Sequence, residues 1–127
     1  MRIFKNKDFH KWALKQKISD PCLIKAVTEI ETGLFEANLG SGIYKKRLPL
    51  GNKGKRGGAR SIVAFKVSTK AFFIYGFGKS KIDNISLLET EALKKLAKIY
   101  FGYQDNDIKI ALKHGELIEV VYEKINS

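Results

Sequence analysis

Ala59-Arg-Ser-Ile-Val-Ala-Phe-Lys-Val-Ser-Thr-Lys-Ala-Phe-Phe-Ile-Tyr-Gly-Phe-Gly78 is the stretch whose reading decides the fold. It is dense in β-branched and aromatic residues and is interrupted once, by the polar pair Ser68-Thr69. That pattern predicts two antiparallel strands, 59–67 and 70–78, joined by a two-residue turn. With this turn Val67 pairs with Lys70 and Ser61 with Gly76. Arg60, Ile62, Ala64 and Lys66 then share a face with Phe73, Tyr75, Phe77 and Lys79. One side of a rigid hairpin would thus carry a guanidinium, a phenol and an ammonium.

The sequence leading into this hairpin is Gly51-Asn-Lys-Gly-Lys-Arg-Gly-Gly-Ala-Arg60, basic and rich in glycine. Between Glu36 and Asp83 there is no Asp or Glu, while Lys45, Lys46, Arg47, Lys53, Lys55, Arg56, Arg60, Lys66, Lys70, Lys79 and Lys81 all fall there. This middle third carries the whole net charge of +11, and the flanks cancel. A one-sign field beside glycines that allow close backbone approach suits a polyanion. Just upstream, Tyr44-Lys-Lys-Arg-Leu48 reads as a short strand bearing three of the charges. A pI of 9.8 makes nucleic acid the first partner to consider and an acidic protein the second.

Helices are expected on either side of the hairpin. Arg2-Ile3-Phe4 is a strand candidate, and Phe9, Trp12 and Ala13 follow at helical spacing, with Trp12 as a core anchor. Ser19-Asp20-Pro21 opens a second helix with a capping residue and an early proline. Its stripe of Leu23, Ala26, Val27, Ile30 and Leu34 runs to an end between Leu34 and Asn38, and Gly40-Ser-Gly42 releases the chain. Downstream, Ser86-Leu-Leu-Glu89 is a capping box. Leu93, Leu96, Ala97 and Tyr100 form the apolar face of that helix, a short helix covers 104–113, and 117–122 is an edge strand or docked tail. With 127 residues, 44% hydrophobic and 29% charged, the chain reads as one globular domain, 1–127, of α+β class. The early charges leave no signal-peptide core, no run is long enough to span a membrane, and the single Cys22 fits a reducing compartment, so a cytoplasmic location is expected.

Spacing removes several chemistries. Gly78-Lys79-Ser80 would need its leading phosphate-loop glycine at position 73, which is Phe73, and Gly54-Lys55 would need one at Pro49. One cysteine and the distant His10 and His114 make no zinc set, and the basic block has no carboxylate for Mg²⁺. No metal or cofactor is therefore expected. Metal-free cleavage of RNA needs a base, an acid and positive charge at the pentavalent phosphorus. Crowded lysines lose pKa to their neighbours and can move protons, arginine binds phosphate through two donors, and tyrosine can assist or stack. Lys53, Lys55, Arg56, Arg60, Tyr75 and Lys79 form such a histidine-free constellation, which would serve equally as a plain binding surface.

Three segments together resemble the RelE-type toxins of bacterial type II toxin–antitoxin systems, nearest the HigB-like branch of the RelE/ParE superfamily. They are Gly54-Lys-Arg-Gly-Gly-Ala-Arg-Ser61, Ala71-Phe-Phe-Ile-Tyr-Gly-Phe-Gly-Lys-Ser80 and Asp83-Asn-Ile85 before a Lys-Lys-Leu-Ala-Lys helix. The resemblance implies a small, twisted, mostly antiparallel sheet with an N-terminal helix hairpin on one face and helices at the C-terminus. It implies an mRNA endonuclease acting in the ribosomal A site, and an antitoxin that masks the toxin and carries it to operator DNA. By position it gives catalytic roles to Arg60, Lys55, Lys79 and Tyr75, and RNA contacts to Lys53, Arg56, Lys45, Lys46, Arg47 and Lys81. A family tyrosine late in the chain could correspond to Tyr100, Tyr103 or Tyr122. Competing readings are a ParE-like inhibitor of DNA gyrase, for which the basic loop and Arg60 have no obvious use, and a non-catalytic or antitoxin-sequestered nucleic-acid binder.

Overall fold

The structure, a computed structural model, describes residues 1–50, 58–78 and 85–121. The strands β1 (Arg2–Asn6), β2 (Ala37–Gly40), β3 (Ile43–Leu48), β4 (Ala59–Lys66), β5 (Lys70–Gly78) and β6 (Leu117–Glu119) form one sheet in the order β2-β3-β4-β5-β1-β6. Neighbours are antiparallel except β1 and β5, which run parallel because α1 (Lys7–Gln16), α2 (Asp20–Glu31) and the β2–β4 strands intervene between them. Helices α3 (Leu87–Phe101) and α4 (Asp105–Lys113) complete an α+β architecture.

Strand alternation sorts the core into two layers. Val63, Phe65, Phe73, Leu48 and Ile3 face Phe9, Ala13, Leu23, Val27 and Ile30 of α1 and α2. The alternate residues Ile43, Ile62, Ala64, Phe72 and Phe4 face Ala97, Tyr100, Ile108 and Ala111 of α3 and α4. Local chemistry starts each helix where the sequence places it. Ser19 Oγ accepts from the Cys22 amide, Ser86 and Glu89 form a reciprocal capping box, and Pro21 fits the first turn. Among the described residues no helix is long and apolar enough to cross a membrane.

Three expectations change. The second helix stops at Glu31, and 37–40 is a strand, because Gly40, Ser41 and Gly42 all take positive φ (90°, 55° and 83°) and turn the chain back onto β3. The central turn has three residues, Val67 to Thr69, with Ser68 left-handed at φ 64°, so Lys66 and not Val67 pairs with Lys70. The register nevertheless agrees at the other end, where Ser61 pairs with Gly76, Ile62 with Tyr75 and Arg60 with Phe77. A bulge absorbs the difference: Ile62 pairs with Tyr75 but Val63 pairs with Phe73, leaving Ile74 as the extra residue. Phe73 accordingly moves to the α1 layer, where its ring lies 5.1 Å from Phe9. Asn6 holds the bulge, its Nδ2 donating to the Ile74 carbonyl at 3.1 Å while its Oδ1 accepts from the Phe9 amide at 2.8 Å and caps α1.

Trp12 packs onto the α1 layer against Gly76. A Cβ added at Gly76 would lie 2.3 Å from the indole, so this strand position accommodates only a hydrogen. Within the tail candidate 117–122, Leu117–Glu119 forms β6 along the edge of β1, tied by a two-point ion pair in which Arg2 Nε and Nη2 donate to Glu119 at 2.9 and 2.8 Å.

Candidate active site

Register alone assembles the described part of the site. Arg47 pairs with Arg60 and Arg60 with Phe77; in the next row on the same face, Lys45 pairs with Ile62 and Ile62 with Tyr75. Arg60 and Tyr75 are therefore diagonal neighbours, roughly 7–8 Å apart between backbones. The bulge at Ile74 lies just beyond, so it is what keeps Tyr75 on the face of Arg60. Tyr75 is half-buried with its ring 5.6 Å from that of Phe77.

Arg60 is tightly held on this face. Its Nε donates to Glu36 Oε1 at 2.8 Å with the side chain only 16% exposed. Its Nη1 is buried and has no hydrogen-bond partner among the described residues. A buried guanidinium nitrogen left without an acceptor is uncommon and costs free energy until an acceptor arrives.

Lys45 is half-buried and Arg47 exposed, both on the Arg60 face. Lys46 alternates to the other side. Its ammonium contacts Glu29 Oε1 at 2.8 Å and donates to the Leu34 carbonyl at 3.0 Å, so in this structure it faces α2 and not solvent. Glu29 is held below the usual carboxylate range, first by the hydrogen bond from Lys46 and then by its charge. Glu36, Leu34, Phe35, Lys46 and Arg47 line a cleft of about 340 Å³ at this edge of the sheet. Lys53, Lys55, Arg56, Lys79 and Lys81 lie outside the described residues. By chain connection alone, 51–57 leads into β4 immediately before Arg60, and 79–84 leaves β5 immediately after the row of Phe77.

Other titratable groups serve the scaffold. Tyr100 is buried and stacks on Phe72 at 5.1 Å and 12°, with its phenol pushed upward chiefly by burial and partly restored by a hydrogen bond with Asn6. Tyr103 meets it edge-on at 5.5 Å, and its phenol is also raised by burial. Phe72 pairs with Ala64, four residues along β4 from Arg60, which sets both tyrosines toward the far end of the sheet; Tyr122 lies outside the described residues. His10 sits in α1 with its pKa lowered by burial and then by Lys5. Burial raises the Cys22 thiol, which keeps it protonated and unreactive.

Sequence reasoning passed over the two carboxylates that meet the basic residues, Glu29 and Glu36. Position gave a clue for the second, since Glu36 is the last acid before the acid-free window. Residues 1–120 match the family model described as the RelE toxin of the RelE/RelB toxin–antitoxin system. No curated protein matches the chain.

Proposed function

From the premise that the chain belongs to the RelE toxin family, we propose that it is a metal-free endoribonuclease that cuts mRNA in the ribosomal A site and so arrests translation. Membership makes it the toxin of a toxin–antitoxin pair and gives it an antitoxin partner. The observation that carries the nuclease reading is Arg60, a cation fixed on a sheet between Arg47 and Phe77, with a buried donor that has no acceptor among the described residues.

In the proposed reaction the ribose 2′-hydroxyl attacks the adjacent phosphorus, its proton passes to a base, and the P–O5′ bond breaks as the 5′-oxygen takes a proton. The products are a 2′,3′-cyclic phosphate and a 5′-hydroxyl. Arg60 donates to the non-bridging oxygens as charge builds on them. Lys55 and Lys79, from the segments flanking the Arg60 row, supply further positive charge and proton transfer, with Tyr75 beside the scissile group. Lys53, Arg56, Lys45, Arg47 and Lys81 hold the RNA backbone, and the ribosome presents the message. Lys46 joins them only when its contact with Glu29 opens. Glu36, the carboxylate that meets Arg60, is engaged by it. The antitoxin masks the basic face in the cytoplasm and carries the toxin to operator DNA.

Primer extension on a defined mRNA, with and without programmed ribosomes, tests this reading. Cuts within A-site codons only when ribosomes are present, lost about 10²–10³-fold in Arg60→Ala, are expected. Cuts without ribosomes would remove the ribosome from the mechanism, and full activity in Arg60→Ala would remove Arg60. A folded, antitoxin-free chain that cuts under neither condition would overturn the nuclease reading.

A further inference from the structure

Arg60 and Arg47 stand directly opposite each other on neighbouring strands and on one face. Like charges so placed repel, and a long, flexible arginine relieves the repulsion by swinging away from the sheet. Arg60 does not swing away. It stays 16% exposed, with Nε against Glu36 Oε1 at 2.8 Å. Glu36 is itself anchored by backbone, its amide donating to the Lys45 carbonyl at 2.8 Å where the chain enters β2. The neighbouring pair Lys46–Glu29 comes from the same stretch of chain, so the segment from α2 to β2 supplies the counter-charges for this basic edge.

A guanidinium has two forked edges. The Glu36 contact uses Nε, and Nη1, on the terminal edge, is buried and without a hydrogen-bond partner among the described residues. A guanidinium held by one edge has the direction of its other edge, the one an anion would engage, set for it. We infer that Glu36 is the positioning residue for Arg60: its carboxylate fixes Nε and offsets Arg47, which sets the direction of the terminal edge that the scissile phosphate engages. This rests on Arg60 being the phosphate-binding residue of the proposed reaction. Glu36 itself transfers no proton and touches no reacting atom.

The test is single-turnover cleavage on programmed ribosomes over a range of pH and toxin concentration, for wild type, Glu36→Ala, Glu36→Gln and Arg60→Ala. Glu36→Ala is expected to lower the maximal rate by about 10–100-fold with little change in half-saturating concentration, since a misdirected donor costs rate more than encounter. Glu36→Gln keeps an oxygen that accepts from Nε and is expected to recover to within about five-fold of wild type, with the same pH profile. A thermal melt of Glu36→Ala close to wild type separates this loss from misfolding. Wild-type or faster cleavage by Glu36→Ala overturns the inference. So does a Glu36→Gln chain as inactive as Glu36→Ala with its acidic-limb pH dependence lost, which would make Glu36 the general base. Inactive Arg60→Ala beside active Glu36→Ala defeats the positioning role alone; active Arg60→Ala defeats the reading beneath it.

Discussion

Replacing Asn6 by alanine should disturb two elements at once. Asn6 is buried, caps α1 through Oδ1, and clasps the β5 bulge through Nδ2. Losing an N-cap costs about 1 kcal/mol. Stranding the buried Ile74 carbonyl adds about 1–3 kcal/mol. The total is about 2–4 kcal/mol. Unfolding entropy of about 2.1 cal/mol/K per residue gives about 0.27 kcal/mol/K for this chain, so the melting temperature should fall by about 7–15 °C. Differential scanning calorimetry measures this directly. Asn6→Asp retains the cap oxygen and sets a negative charge at the helix N-terminus, but lacks the donor to Ile74, so it should fall between wild type and Asn6→Ala. Amide exchange at Tyr75 and Gly76 should quicken in both variants, because the bulge that sets their register is released. An Asn6→Ala chain melting within about 2 °C of wild type would refute the account of the bulge clasp.

Gly76→Ala should cost about 1–3 kcal/mol in denaturant unfolding, because its methyl falls on the indole of Trp12. In a Trp12→Leu background the same change should cost clearly less, and strict additivity would show that the indole is not what excludes the methyl. Glu29 has a folded-state pKa below its unfolded one, chiefly through Lys46, so its contribution is present above the ordinary carboxylate pKa and disappears as pH falls through the lowered value. Melting temperature followed from pH 7 downward should show Glu29→Gln less stable than wild type near neutrality, with the gap closing in acid. A gap that persists or widens in acid would contradict that linkage. Arg2–Glu119 gives a second acid-sensitive pair that both chains keep.

Much of this molecule could be read directly from residue order. Strand and helix periods, the Ser19 and Ser86 caps and the acid-free window are local properties, each fixed by chemistry within a few residues. They were enough to place the α2 and α3 starts and the two central strands, with Arg60 on the first of them. The side of the sheet on which each residue of β5 falls depended instead on a bulge whose Ile74 carbonyl is taken up by Asn6, 68 positions away. Strand β2 was hidden for a similar reason: 37–40 has little strand character and pairs only because the Gly40–Gly42 turn brings β3 alongside. The ion pairs Glu36–Arg60 and Lys46–Glu29 also belong to the tertiary structure. Sequence determined that a basic strip would lie on a sheet. Folding decided which cations meet carboxylates and which donor is left open, since ion pairing depends on distance through space and not on separation along the chain.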